Sequence, residues 1–200
     1  MNTFYHVDKS HKLQTGMKIS LSPTIPSKFG KYYVDQLSLV NITEFGTLEE
    51  AYQQQNKIID KSIYREFWLE IFRKDCPDLK SLSLKSRLNS FFATTSVKDA
   101  CRFIERSEIK SEVRIFEVYS SDKGLKLDMT WLDHKFPRDF RAFQYYYTHY
   151  WKGLKIEEDE HLKGSDKRGS LIEVLIDKDV MIGEVIKTFN PNIGSGSVQR

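Results

Sequence analysis

A chain of 200 residues and 23.5 kDa is long enough to bury one sizeable core, and it reads as a single domain over residues 1–189 with a Gly/Ser-rich flexible tail over 190–200. Its 31 Lys+Arg against 28 Asp+Glu leave a net charge of +3, with neither an acidic nor a polybasic tail, so charge names no partner. With 40% hydrophobic and 30% charged residues the composition excludes a disordered chain, and the 13 Phe, 10 Tyr and 3 Trp are its one unusual feature.

The opening stretch meets charge before a secretory apolar core could develop, and no run reaches the length of a membrane span, so a soluble cytoplasmic protein without membrane partners is expected. Cys76 and Cys101 stand alone, with neither CxxC nor histidine at ligand spacing, and both read as buried free thiols.

In chain order, Phe4, Tyr5 and Val7 predict an opening strand. Pro23, Pro26 and Gly30 predict a loop over Ser22–Lys31. Thr47–Glu50 matches a capping box, and Ile59, Ile63, Phe67 and Ile71 recur every four residues, which predicts a long amphipathic helix ending before Pro77. Asn89–Thr95 predicts a strand running into a helix capped by Ser96 with Asp99, whose face carries Ala100, Phe103 and Ile104. Glu112–Tyr119 alternates as a strand and turns at Ser120–Gly124. Pro137 and Asp139 open a further helix with Phe140, Phe143, Tyr147 and Tyr150 or Trp151 along one side. Leu171–Ile176 and Val180–Ile186 are two apolar strands about the turn Asp177-Lys178-Asp179. About three helices with five or more strands define an α+β class.

Three large enzyme classes lose their anchor, because the phosphate-cradling loop, the dinucleotide-binding glycine pattern and the G-x-S-x-G elbow are all missing. His6, His11, His134, His149 and His161 include no i,i+4 pair, so chemistry without a metal is expected.

Three separated segments remain: Tyr5-His6, the run RLNSFFATT from Arg87 to Thr95, and EVLIDKDVMIGEVI from Glu173 to Ile186. Their order and local structure resemble the ADP-ribosyltransferase superfamily, which carries His or Arg on its first strand, an aromatic element on a middle strand entering a helix, and a catalytic Glu opening a late strand. The opening YHVD and the YWKG of Tyr150–Gly153 further resemble a bacterial branch of that superfamily. The resemblance implies an α+β fold with a split antiparallel sheet and flanking helices. It also implies NAD+ as a substrate, released nicotinamide, and a macromolecular acceptor, RNA, DNA or protein. A toxin is implied, belonging to a toxin-antitoxin or phage-defence system, with a cognate antitoxin as a further partner.

On that pattern Glu173 is the catalytic carboxylate that holds the nicotinamide ribose and favours an oxocarbenium-like transition state. His6 would bond the adenosine-side ribose and Arg87 would pair with the pyrophosphate. Tyr5, Ser90, Phe91 and Phe92 complete the implied NAD+ site, strand alternation sending one of the two phenylalanines to the core. Trp151 is a further aromatic candidate for ligand contact. The chain is nearer the His-Tyr-Glu branch, with Phe92 where that branch has tyrosine. Leu171 stands where arginine-modifying members have Glu or Gln, which argues against an arginine acceptor. Two other functions compete: a metal-independent ribonuclease using His6 or His149 with a glutamate, and an inert NAD- or partner-binding module.

Overall fold

The structure is a computed structural model that describes residues 1–37, 61–133 and 139–190. The Thr47–Glu50 capping box, Ile59, Pro137 and the tail over 191–200 lie outside the described residues. In chain order the elements are β1 (Asn2–Asp8), β2 (Lys18–Ile19), α1 (Lys28–Leu37), α2 (Lys61–Asp75), β3 (Phe91–Thr94), α3 (Val97–Arg106), β4 (Val113–Ser120), β5 (Leu125–Asp128), α4 (Phe140–Trp151), β6 (Ile172–Ile176) and β7 (Val180–Phe189). The fold is α+β. Among the described residues seven strands make one antiparallel sheet in the order β2-β7-β4-β1-β3-β6-β5. Among the described residues no helix is long and apolar enough to cross a membrane.

The sheet is thin at one place. β1 pairs with β4 from Asn2↔Ser120 to Asp8↔Arg114, whereas it meets β3 in a single register pair, Tyr5↔Thr94. β3 pairs along its full length with β6, from Phe91↔Ile176 to Thr94↔Glu173. Side chains replace the missing ladder bonds at this seam: the Thr94 hydroxyl donates to the Tyr5 carbonyl at 3.3 Å, and His6 Nδ1 to the Phe92 carbonyl at 2.7 Å. Strand backbone that is buried without ladder partners must be satisfied in some such way.

Among the described residues the largest aromatic cluster lies in the core between α2, α4 and the sheet. Phe72 meets Phe143 edge-to-face at 4.9 Å and 90°, and Trp68 meets Phe143 at 5.7 Å and 84°. These geometries satisfy the ring quadrupoles as well as burying area. α2 buries Phe67, Trp68, Leu69 and Phe72, a wider arc than a four-residue stripe, and it includes Glu66 and Glu70. It ends at Asp75, ahead of Pro77. A smaller cluster packs Ala100 and Ile104 of α3 on Val7, Val113 and Ile115. α3 begins as its sequence predicts, with Ser96 Oγ accepting from the Asp99 N–H at 3.0 Å. Asp139 caps α4 by accepting from the Arg141 N–H at 2.9 Å.

Three sequence expectations need correction. Ser22–Lys31 is not all loop, since α1 starts at Lys28, with Ser27 Oγ accepting from the Gly30 N–H at 3.2 Å. Gly30 serves packing rather than helix breaking, because a Cβ there would lie 1.7 Å from the Leu88 carbonyl oxygen. Two strands went unpredicted: β2 has only two residues, and β5 follows directly on the Ser120–Gly124 turn. Cys76 is buried, but Cys101 is half-exposed with Lys187 Nζ 3.6 Å from its sulfur.

Gly30→Ala is expected to destabilise the fold by about 1–3 kcal/mol, the usual range for forced overpacking. Urea unfolding checks it, and an unchanged midpoint would mean that α1 is not seated on Leu88.

A buried ionic knot ties the turns at one end of the sheet. Lys85 donates to Asp122 and, at 2.6 Å, to Asp177, while Asp122 accepts from the N–H groups of Gly124 at 3.0 Å and Asp177 at 3.1 Å. Partial burial alone would raise the Asp122 pKa, but the Lys85 ammonium and these N–H donors outweigh it and hold the carboxyl down at about 2. An unfolded Asp titrates near 3.9. As pH falls below about 4 the unfolded chain takes up a proton that the folded chain refuses, so stability is lost progressively toward pH 2. Wild type should therefore show a lower urea midpoint at pH 3 than at pH 5. Asp122→Asn should be weaker at pH 5 and show a shallower drop.

Candidate active site

The seam opens into a cleft of about 460 Å³. Tyr5 and His6 reach it from β1, Phe92 and Thr94 from β3, and Glu173 from β6. Arg87 enters from the short turn of 3-10 helix, Arg87–Asn89, that precedes β3. α1 supplies one aromatic wall, where Phe29 packs against Phe92 with ring centres 4.8 Å apart and against Tyr33 at 4.6 Å. The lining also includes Lys9, whose ammonium lies 4.4 Å from the centre of the Phe103 ring.

His6 lies half-buried in the middle of β1. Its Nδ1 carries the proton, because the Phe92 carbonyl can only accept, and Nε2 is left as an acceptor. Burial pushes the His6 pKa below the ordinary histidine value, against smaller opposing effects from the Phe92 carbonyl and Asp8, so the ring is neutral near pH 7. It packs on Phe91 with ring centres 4.4 Å apart.

Glu173 is only 6% exposed. Its Oε1 accepts from Arg87 Nη1 at 2.6 Å and from the Tyr150 hydroxyl at 2.9 Å. Among the described residues Oε2 receives no hydrogen bond, and Glu173 is one of the residues that line the cleft. Burial works to lower the Arg87 pKa, but Glu173, Glu66 and Tyr150 outweigh it and the guanidinium is held firmly cationic. Burial raises the Tyr150 pKa well above the usual phenol value, so the hydroxyl keeps its proton and serves as a donor. Arg87 Nη1 also donates to the Tyr150 oxygen, closing the three groups into one network.

The structure thus brings Tyr5, His6, Arg87, Phe92 and Glu173 together at one cleft. Ser90 stands outside its lining, buried with its hydroxyl bonded to the Ser86 carbonyl at 2.7 Å. Phe91 turns to the core beside Phe4, Ala93 and Val174, as strand alternation requires once Phe92 faces the cleft. Trp151 cannot touch a ligand, since it is 1% exposed and its indole N–H donates to the Leu69 carbonyl at 2.9 Å. The Arg87 guanidinium, expected to meet a pyrophosphate, is committed instead to two carboxylates, Glu66 and Glu173. His149 lies outside the cleft lining: its Nδ1 bonds the Tyr145 carbonyl at 2.7 Å, and Asp159 is its acidic neighbour at 3.7 Å.

Sequence reasoning missed Glu66 and the hydroxyl role of Tyr150. One signal for Glu66 existed: two glutamates four residues apart share one helix face, Glu66 directly before the apolar run FWLEIF and Glu70 inside it, where a buried carboxylate needs a cationic partner. Phe29 and Tyr33 have no comparable signal, because Phe29 falls in the stretch Ser22–Lys31 that reads as loop and no element is predicted over 32–37. Among the described residues no group of three His, Cys, Asp or Glu side chains is placed to hold a metal ion.

No protein-family model matches the chain, and no curated protein matches it.

Proposed function

We propose that the protein is an NAD+-dependent mono-ADP-ribosyltransferase whose catalytic carboxylate is Glu173. The observation that carries this reading is a buried glutamate lining an aromatic-walled cleft, with one oxygen anchored by Arg87 and Tyr150 and the other without a hydrogen bond among the described residues, beside a neutral histidine acceptor. A cleft of about 460 Å³ lies within the usual range for small-molecule sites, roughly 300–1,000 Å³. The sequence of elements supports the finer fold assignment too: His6 on β1, Phe92 on a β3 that enters α3, and Glu173 on β6 ahead of a tight turn into β7.

In the proposed reaction the bond between the nicotinamide nitrogen and ribose C1′ breaks, and nicotinamide leaves neutral with the electron pair. Positive charge grows on the ribose, where Glu173 stabilises it and Oε2 accepts from the 2′-hydroxyl. Phe92 offers a flat face to the nicotinamide ring, and His6 Nε2 accepts from the second ribose. An acceptor nucleophile then bonds to C1′ and gives up its proton.

The test incubates purified protein with cell lysate and labelled NAD+, then digests one portion with nuclease and another with protease. Label that enters a macromolecule and disappears with one digestion supports the reaction and names the acceptor class. RNA cleavage in EDTA without NAD+ would favour a nuclease instead, and absence of both NAD+ binding and consumption would leave a binding module.

A further inference from the structure

Arg87 links Glu173 to a third charged group, Glu66 of α2, for which the proposed reaction has no task. We infer that Glu66 is a positioning residue, locking the Arg87 guanidinium in one orientation and thereby holding Glu173 with Oε2 toward the cleft. The inference rests on the reading of Glu173 as the carboxylate facing the ribose.

The geometry is a relay. Arg87 Nε donates to Glu66 Oε2 at 2.7 Å and Nη2 to Glu66 Oε1 at 3.2 Å, a two-point fork. Two parallel bonds remove the rotation that one bond would permit, so the fork fixes the guanidinium plane as well as its place. The aromatic neighbours restrict it further, with the Phe92 and Tyr150 ring centres 4.8 and 5.5 Å from Cζ. Once the plane is set, the two Nη1 hydrogens have fixed directions, one serving the Tyr150 oxygen and the other ending on Glu173 Oε1 at 2.6 Å.

α2 also grips the same residue by its backbone. Glu70, one turn beyond Glu66, accepts from the Arg87 N–H at 2.7 Å and from the Ser86 hydroxyl at 2.9 Å, and is itself held by Arg73 at 2.8 Å. Glu66 is 1% exposed, and the other cation near it, Arg65, stands off at 3.7 Å. Without the fork, Arg87 would keep its backbone anchor but lose the side-chain one. Glu173 would then lean on a guanidinium free to turn.

The experiment measures nicotinamide release and NAD+ affinity, the latter by calorimetry, for wild type, Glu66→Gln, Glu66→Asp, Glu173→Gln and the double variant Glu66→Gln/Glu173→Gln. Glu66→Gln should lower kcat by about ten- to a hundredfold, the scale of a small misplacement of a reacting group. KM and NAD+ affinity should stay within about threefold, because Glu66, although it lines the cleft, makes none of the proposed NAD+ contacts, which belong to His6, Phe92 and Glu173. Glu66→Asp keeps the charge but not the reach, and should lose kcat as well; it replaces Glu66→Gln throughout if that variant fails to unfold cooperatively. In the Glu173→Gln background, Glu66→Gln should change nothing further, since the carboxylate charge whose placement it controls is gone.

An unchanged kcat in Glu66→Gln overturns the inference, as does an equal loss in both backgrounds, which would mark a purely structural salt bridge. Where the Glu173→Gln rate is below detection, the split between kcat and KM decides. A wild-type protein that releases no nicotinamide is a different failure. It overturns the proposed reaction, and the inference goes with it.

Discussion

Arg87→Met should be among the most damaging single changes to stability in this chain, costing about 3–5 kcal/mol, the range for removing one partner from a buried ion pair. Arg87 is 6% exposed and serves two carboxylates at once, Glu66 through its fork and Glu173 through Nη1. Methionine fills similar volume but offers no donor, so two buried negative charges would face each other, Glu173 keeping only the Tyr150 hydroxyl and Glu66 only Arg65, which stands off at 3.7 Å. Desolvated charges without partners are the expensive case, whereas the intact cluster itself adds little net stability. For a chain of this size each kcal/mol corresponds to roughly 2–4 °C, so the melting temperature should fall by roughly 6–20 °C. The decisive control is the triple variant Glu66→Gln/Arg87→Met/Glu173→Gln, which removes the stranded charges and should recover much of the loss. If Arg87→Met melts within about 2 °C of wild type, the network is not closed as described.

The same network marks where the sequence was legible and where it was not. Local signals translated well: Ser96 and Asp99 cap α3 as their spacing suggests, and alternation on β3 places Phe91 in the core and Phe92 in the cleft. Those features depend on neighbours within a few residues. Glu66, Arg87, Tyr150 and Glu173 are far apart in the chain and meet only because α2 and α4 pack on the same face near β6. No spacing rule encodes such a meeting. Gly30 misled for a related reason: its role is set by the Leu88 carbonyl, 58 residues away, and a local reading sees only a helix breaker. Arg87 was legible as a functional cation but not in its partner, because a guanidinium suits a carboxylate fork as well as a phosphate.

Glu173→Gln should leave the fold nearly intact and remove at least about a hundredfold of the proposed transfer rate, the scale seen when one preorganised transition-state contact is lost. The two effects separate because the two oxygens have different work. Oε1 accepts from Arg87 and Tyr150, and the glutamine carbonyl can accept both bonds in the same place. What disappears is the charge, together with the acceptor at Oε2, where an amide NH₂ would now meet the ribose hydroxyl donor to donor. A growing positive charge on the sugar would lose its counter-charge while the ground-state contacts of Phe92 and His6 remain, so kcat should fall much further than KM rises. Glu173→Ala is the necessary contrast. It deletes the Oε1 acceptor too, leaving Arg87 and Tyr150 with unanswered donors, and should cost stability along with activity. Label transfer and thermal melting measured side by side distinguish these outcomes. Full labelling in both variants would show that Glu173 does not carry the chemistry, whereas a parallel loss of melting temperature and activity in Glu173→Gln would mean that the carboxylate serves the fold.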